Sequence, residues 1–130
     1  MKLNKVMHVE DDECIRIVTE MALSDIAGFE VLSCEGAESA LKEVVAFAPD
    51  LILLDVMMPK MDGLETLAEL KKIPSLTTTP IVFMTAKIQP SEKQIYIDAG
   101  AVGVIEKPFD PMTIGSTLNQ LFIEAQEFNI

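Results

Sequence analysis

Basic residues are scarce in this chain: 10 lysines and arginines stand against 21 aspartates and glutamates, a formal charge of −11. That balance disfavours a protein that tracks a nucleic-acid backbone directly, and equally one anchored electrostatically to anionic lipid. Cysteine is scarcer still. Cys14 and Cys34 form no CxxC pair and imply no disulfide framework, so they read as two reduced thiols of a cytoplasmic protein. No apolar run approaches the roughly 18 residues needed to span a bilayer. The opening stretch, MKLNKVMHVE, reaches an acid before the apolar centre of a signal peptide. Gly/Ser-rich or Pro-rich linkers, internal repeats and low-complexity segments are missing from all 130 residues. With 49% apolar residues, the expectation is one soluble cytoplasmic domain over residues 1–130, able to fill one substantial core.

What is present is a regular alternation of two periods. KVMHV (Lys5 to Val9) is short, apolar and β-branched, and reads as a buried strand. The acid cluster EDDE follows, which suits the first turn of a helix. Ile15, Val18, Met21, Ala22 and Ile26 recur at spacings of three and four, predicting one apolar helix face that stops at Gly28. FEVLSC (Phe29 to Cys34) alternates like a second strand. AESALKEVVAFA (Ala37 to Ala48) puts Ala40, Leu41, Val44, Val45 and Ala48 on one face of a second helix. LILLD is the third strand, and GLETLAELKKI (Gly63 to Ile73) a third helix with Leu64, Leu67, Ala68 and Leu70 inward. After the loop PSLTTT, Pro80 opens a fourth strand, PIVFMT. PSEKQIYIDAGA holds a short fourth helix with Ser91 as N-cap and Gly100 as stop. VGVIE (Val102 to Glu106) is the fifth strand. A fifth helix follows, with Asp110 as N-cap, Pro111 at its first position, and Ile114, Leu118, Leu121, Phe122 and Ala125 on its apolar face.

Five strands alternating with five helices predict an α/β fold, a doubly wound parallel sheet covered on both faces. In such a sheet every strand ends on the same edge, where ligands bind at the point of reversal of strand order. Glu10, Asp11 and Asp12 stand after the first strand, Asp55 ends the third, Thr85 and Ala86 follow the fourth, and Lys107 and Pro108 follow the fifth. Each has an ordinary reading when taken singly. Asp55 is a loop starter or helix cap, the acids a charged helix start, Thr85 a β-branched strand residue, Lys107 a solvated loop residue. Met57 and Met58 read as core or lid packing, and His8, inside the first strand, as a structural residue with its nitrogens satisfied. The arrival of carboxylates, a hydroxyl and an ammonium from four distant segments at one edge favours chemistry over accident.

Several carboxylates in one cleft repel each other, and a hard divalent cation removes that conflict. Mg²⁺ favours carboxylate oxygens, waters and a substrate phosphate. A metal also helps an anionic phosphoryl donor approach an anionic aspartate. Thr85 can donate a hydrogen bond to a phosphoryl oxygen, and Lys107 can balance its charge. The set suits one reaction, in which Asp55 is the nucleophile that accepts a phosphoryl group.

At this point the chain resembles the receiver domain of two-component response regulators, over roughly Lys5 to Gln126. The resemblance rests on VEDDECIR, LILLDVMMPKMDGLE, MTAK and AGAVGVIEKPF. It implies the flavodoxin-like (βα)5 fold with strand order 2-1-3-4-5, and a regulatory phosphoacceptor rather than an enzyme acting on other molecules. It implies Asp55 as the phosphorylated residue, Asp11 as a direct Mg²⁺ ligand (Mn²⁺ being the substitute ion), Glu10 acting mostly through water, and Met57 lending its backbone carbonyl. Thr85 would grip the phosphoryl group, Ala86 would leave room beside it, Lys107 would bridge to the phosphoryl oxygens, and the Lys107–Pro108 bond would be cis. Asp12 lies just beyond the acidic pair and is not counted as a ligand.

The chain departs from that family at Val104, where an aromatic usually stands in the fifth strand; the familiar Thr–aromatic switch is therefore in doubt. Met57 and Lys87 occupy the two places that tune the lifetime of the phosphoryl group. The implied partners are a sensor histidine kinase or histidine phosphotransfer protein and a downstream protein. A homodimer through the fourth helix, fifth strand and fifth helix is also implied, with outward residues among Ile95, Tyr96 and Ile97. Only a short tail, EAQEFNI, closes the sequence, so the chain is expected to be either a stand-alone receiver or a part cut from something longer. Three rivals remain. A dehalogenase-like phosphatase would want a second Asp two residues after Asp55, where Met57 stands. A flavodoxin-like carrier would want a hydroxyl- and glycine-rich loop in place of EDDE. A degenerate receiver would keep the fold as a binding module that needs no phosphorylation.

Overall fold

Strands apolar along their whole length need cover on both faces, and the chain supplies a helix after every strand. The computed structural model describes residues 2–86 and 88–128. Its strands are β1 (Lys5–Val9), β2 (Glu30–Cys34), β3 (Leu51–Asp55), β4 (Ile81–Thr85) and β5 (Gly103–Glu106). All neighbours pair in parallel, in the order β2-β1-β3-β4-β5, the doubly wound sheet expected. The helices are α1 (Glu13–Met21), α2 (Ala37–Phe47), α3 (Gly63–Lys71), α4 (Pro90–Asp98) and α5 (Ile114–Phe128). A π-helical turn, Ala22–Ile26, prolongs α1, and a 3-10 turn, Pro74–Leu76, precedes β4. No helix of the described residues is long and apolar enough to cross a membrane.

The sheet divides two cores. Met7, Val9, Ile52, Leu54, Ile81 and Phe83 meet α2, α3 and α4 on one face. Val6, Leu51, Leu53, Val82 and Met84 meet the π-turn and α5 on the other. Every residue of β3 and β4 is buried. Each large aliphatic buried there contributes about 1.5–3 kcal/mol, so the strand that ends in Asp55 is among the best anchored parts of the molecule.

Several helix faces differ from expectation. Ala22 is buried as expected, but α1 also turns Thr19 inward, with Leu23 of the following turn, while Val18, Met21 and Ile26 are about half exposed. Thr19 tolerates burial because its hydroxyl donates to the Ile15 carbonyl, 2.6 Å away. In α2 Val45 faces outward, as does Ala48 just past its end; in α3, Thr66 is buried where Ala68 was expected. Ile95 and Ile97 of α4 are both exposed, whereas Tyr96 is buried against Phe83, ring centroids 5.2 Å apart. α5 begins later than expected. Asp110 heads a separate turn, accepting from the backbone N–H of Met112, and the helix starts at Ile114.

Candidate functional site

The C-terminal ends of the strands are each held by one ladder bond beyond the strand proper. Glu10 N–H donates to the Cys34 carbonyl (3.0 Å), Val56 N–H to Met84 (3.1 Å) and Lys107 N–H to Thr85 (2.7 Å). These bonds fix where the polar residues of the edge emerge. Glu10 and Asp55 are 1% and 2% exposed, and the Lys107 ammonium lies between them. Its Nζ donates to Glu10 Oε1 at 2.7 Å and to Asp55 Oδ1 at 2.9 Å. Asp11 is exposed, yet one carboxylate oxygen each from Glu10, Asp11 and Asp55 lie within 4.8 Å of one another. Thr85, at the end of β4, is 6% exposed, and Ala86 beside it is exposed.

Electrostatics follow from this crowding. Burial, then hydrogen bonding to Asp55, pushes the Glu10 carboxyl up to about 7, against the opposing pull of Lys107. Burial alone would favour loss of the Lys107 proton, but the hydrogen bonds and charges of Glu10 and Asp55 outweigh it and hold its pKa above the ordinary lysine value. One ammonium thus serves two buried carboxylates, with a third carboxylate close by. Three hard oxygen donors with one cation among them fit Mg²⁺ by both ligand type and charge.

The remaining expected residues sit around this cluster. Met57 is 75% exposed at the mouth of the loop after β3, and Met58 is buried. The Lys107–Pro108 peptide is cis. Val104 faces Phe83 across the β4–β5 pairing and packs against the core that contains Phe83 and Tyr96. Asp12 caps α1, accepting from the Ile15 N–H at 2.9 Å, so its carboxylate is engaged there. Lys87 lies outside the described residues. His8 is fully buried, but its nitrogens are not satisfied as expected: neither meets a hydrogen-bond partner among the described residues, nor does Ser33 Oγ on the paired rung of β2. Burial, with the nearby Lys107 and Arg16 charges, lowers the His8 pKa to about 3.

Two residues near the site went unread in the sequence. Gly63, the first residue of α3, donates its N–H to the Val56 carbonyl; a Cβ there would stand 2.5 Å from the Asp55 carbonyl oxygen. Its place in MDGLE was the available signal, but the close approach is a tertiary fact. Asp62 and Glu65 form a reciprocal capping box around it. Arg16 reaches back from α1, its Nη1 2.9 Å from the Glu10 carbonyl and 3.4 Å from that of Asp11. Helical side chains lean toward the N-terminus, which was the signal for it.

The family model described as "Response regulator receiver domain" matches residues 6–119. The alkaline phosphatase synthesis transcriptional regulatory protein PhoP of Bacillus subtilis is 32% identical over 122 residues, 94% of this chain and 50% of that protein. The phosphate regulon transcriptional regulatory protein PhoB of Pseudomonas aeruginosa is 35% identical over 113 residues, covering 87% and 49%. The chain therefore spans about half the length of these relatives. Among solved structures, the chemotaxis protein CheY4 of Vibrio cholerae superposes with a TM-score of 0.86 at 34% identity, over 92% of this chain and 98% of that one.

Proposed function

The chain belongs to the response regulator receiver domain family, and from that premise we propose that Asp55 is its phosphoacceptor. Its class is a signalling phosphoacceptor of two-component systems. The observation that carries the assignment to Asp55 is the bridge from the Lys107 ammonium to Asp55 and Glu10, at the ends of three different strands. An Asp55 oxygen attacks the phosphorus of a phosphohistidine. The bond from phosphorus to the ring nitrogen breaks, its electron pair returns to a ring protonated at its other nitrogen so that neutral imidazole leaves, and an acyl phosphate remains on Asp55. Lys107 holds the carboxylate in place beforehand and pairs with a phosphoryl oxygen afterwards. Thr85 donates its hydroxyl to another, with Ala86 leaving space beside it.

Asp11, Asp55 and the Met57 carbonyl would hold Mg²⁺, or Mn²⁺ in its place, with Glu10 acting through water. When bound, the ion supplies neutralisation of the negative charge shared by acceptor and phosphoryl group. Met57 and Lys87 set how readily water reaches the acyl phosphate. With Val104 in β5, no ring on that strand can turn inward behind Thr85. Residues 1–130 form one receiver domain in this reading, with a core of about residues 5–126. A cytoplasmic sensor histidine kinase or histidine phosphotransfer protein supplies the phosphoryl group. The exposed Ile95 and Ile97 support contact with a downstream protein, or a second copy, through α4, β5 and α5.

Intact mass after incubation with acetyl phosphate tests the acceptor. A single phosphoryl adduct that requires Mg²⁺ and is lost in Asp55→Asn is expected. An adduct that survives the substitution moves the acceptor elsewhere, and no adduct in wild type that binds Mg²⁺ points to a binding module.

A further inference from the structure

Successive side chains of a strand point to opposite faces of the sheet. Glu10 and Asp11 are consecutive, yet their carboxylates both come within 4.8 Å of an Asp55 oxygen and of each other. The backbone has left strand geometry here, since β1 ends at Val9 and Asp11 lies in a bend. The turn has internal ties on one side: Asp12 N–H donates to Glu10 Oε2 at 3.2 Å, and the Asp12 carboxylate caps α1. On the other side, the Glu10 and Asp11 carbonyls both face one guanidinium nitrogen, Arg16 Nη1, at 2.9 and 3.4 Å.

We propose that Arg16 is a positioning residue for the phosphoacceptor site. By holding the Glu10 and Asp11 carbonyls from the α1 side, it keeps the two carboxylates turned together toward Asp55. The inference rests on the reading of this cluster as a Mg²⁺-assisted acceptor site. It makes Arg16 part of the cation site without making it a ligand, and it assigns an unusual sign to its charge. A cation beside a Mg²⁺ site repels the ion, so an arginine acting by charge alone would weaken Mg²⁺ binding and its removal would strengthen it. An arginine acting by position does the reverse. The two roles predict opposite changes for the same substitution.

The test is a Mg²⁺ titration of the ¹⁵N-labelled chain, following the amide shifts of Glu10, Asp11 and Asp12, with circular dichroism to establish that each variant is folded at the assay temperature. In Arg16→Met, Mg²⁺ affinity is expected to fall about tenfold, in the range found when partners that orient metal ligands are removed. Arg16→Lys keeps the charge and can reach the carbonyls, though without the guanidinium's planar fork, and is expected to recover part of that loss. It is also the variant to rely on should Arg16→Met fail to fold. Wild-type affinity or tighter binding in Arg16→Met overturns the positioning role. So does a folded Arg16→Lys that binds more weakly than Arg16→Met. A wild type that shows no saturable Mg²⁺ shift overturns the metal reading and the inference together, whereas saturable wild-type binding with an indifferent Arg16→Met overturns the inference alone.

Discussion

Replacing His8 with valine is expected to remove about 2 kcal/mol from the stability that the chain loses between pH 7 and pH 5. His8 lies within β1 and is paired in register with Ser33 on β2 and Leu53 on β3; it is 0% exposed and its ring nitrogens lack protein partners among the described residues. Its pKa falls from 6.5 to about 3, with burial as the main cause. A group whose folded pKa is depressed favours the folded state above its unfolded pKa, and that contribution is lost as pH falls. At pH 5 the unfolded imidazole is about 97% protonated while the folded one stays neutral, which by linkage costs the folded state about 2 kcal/mol relative to pH 7. The figure is insensitive to the depth of the shift, since any folded pKa below about 4 gives nearly the same value at pH 5. Glu10 runs the other way: its pKa is raised from 4.5 to about 7, so the metal-free chain gains stability from it as pH falls through that window. The wild-type curve alone therefore mixes two opposing slopes, and the difference between wild type and His8→Val isolates one. Urea denaturation followed by circular dichroism at pH 7, 6 and 5, in chelator, reads that difference. Any cavity left by valine adds an offset independent of pH. Parallel pH profiles for the two proteins would refute the claim that a neutral, buried imidazole is being titrated.

Three further outcomes follow from the same geometry. Gly63→Ala puts a methyl 2.5 Å from the Asp55 carbonyl oxygen. It is expected to cost about 1–3 kcal/mol in thermal or urea unfolding and to slow phosphorylation by acetyl phosphate; unchanged values for both would show that the loop gives way freely. Lys107→Met leaves Glu10 and Asp55 without their shared cation. A loss of about 3–5 kcal/mol at pH 8 without metal is expected, shrinking when Mg²⁺ is added; a deficit untouched by Mg²⁺ would separate the lysine from the cation site. Met57→Asn exchanges an exposed apolar side chain for one that can hold water, and should shorten the lifetime of the phosphoryl adduct in a timed dephosphorylation, whereas an unchanged rate removes Met57 from that role.

The sheet was legible because β3 and β4 are short apolar runs, too short for a buried helix and without the alternation of a half-exposed strand. The face of α1 was not. Of the expected stripe, Ala22 is buried and Ile15 packs on the core, but Val18, Met21 and Ile26 turn outward, and Thr19 and Leu23 take the places nearest the sheet. Periodicity ranks stripes by apolarity, while packing selects by shape and by whether a hydroxyl can find the Ile15 carbonyl. At the site, strand ends predicted which residues would meet. They could not predict which acid of EDDE would be buried, because that depends on the ladder bond from Glu10 to Cys34 and on the turn that follows. Arg16 and Gly63 went unread as site residues for a related reason: each acts on backbone atoms of a neighbouring segment, and only the fold brings those atoms within reach.

The ring that fills the space between α4 and β4 has an optical consequence. Tyr96 is the only tyrosine in the chain, and there is no tryptophan. Excited at wavelengths that phenylalanine does not absorb, the protein therefore emits from a single buried chromophore packed on Phe83, two residues before Thr85 on the same strand. Any rearrangement of α4 against the sheet changes the quenching and polarity around that one ring, with no second tyrosine and no tryptophan to dilute the signal. The wild-type chain carries its own label at the junction between the strand-end edge of the sheet and its exposed α4 surface.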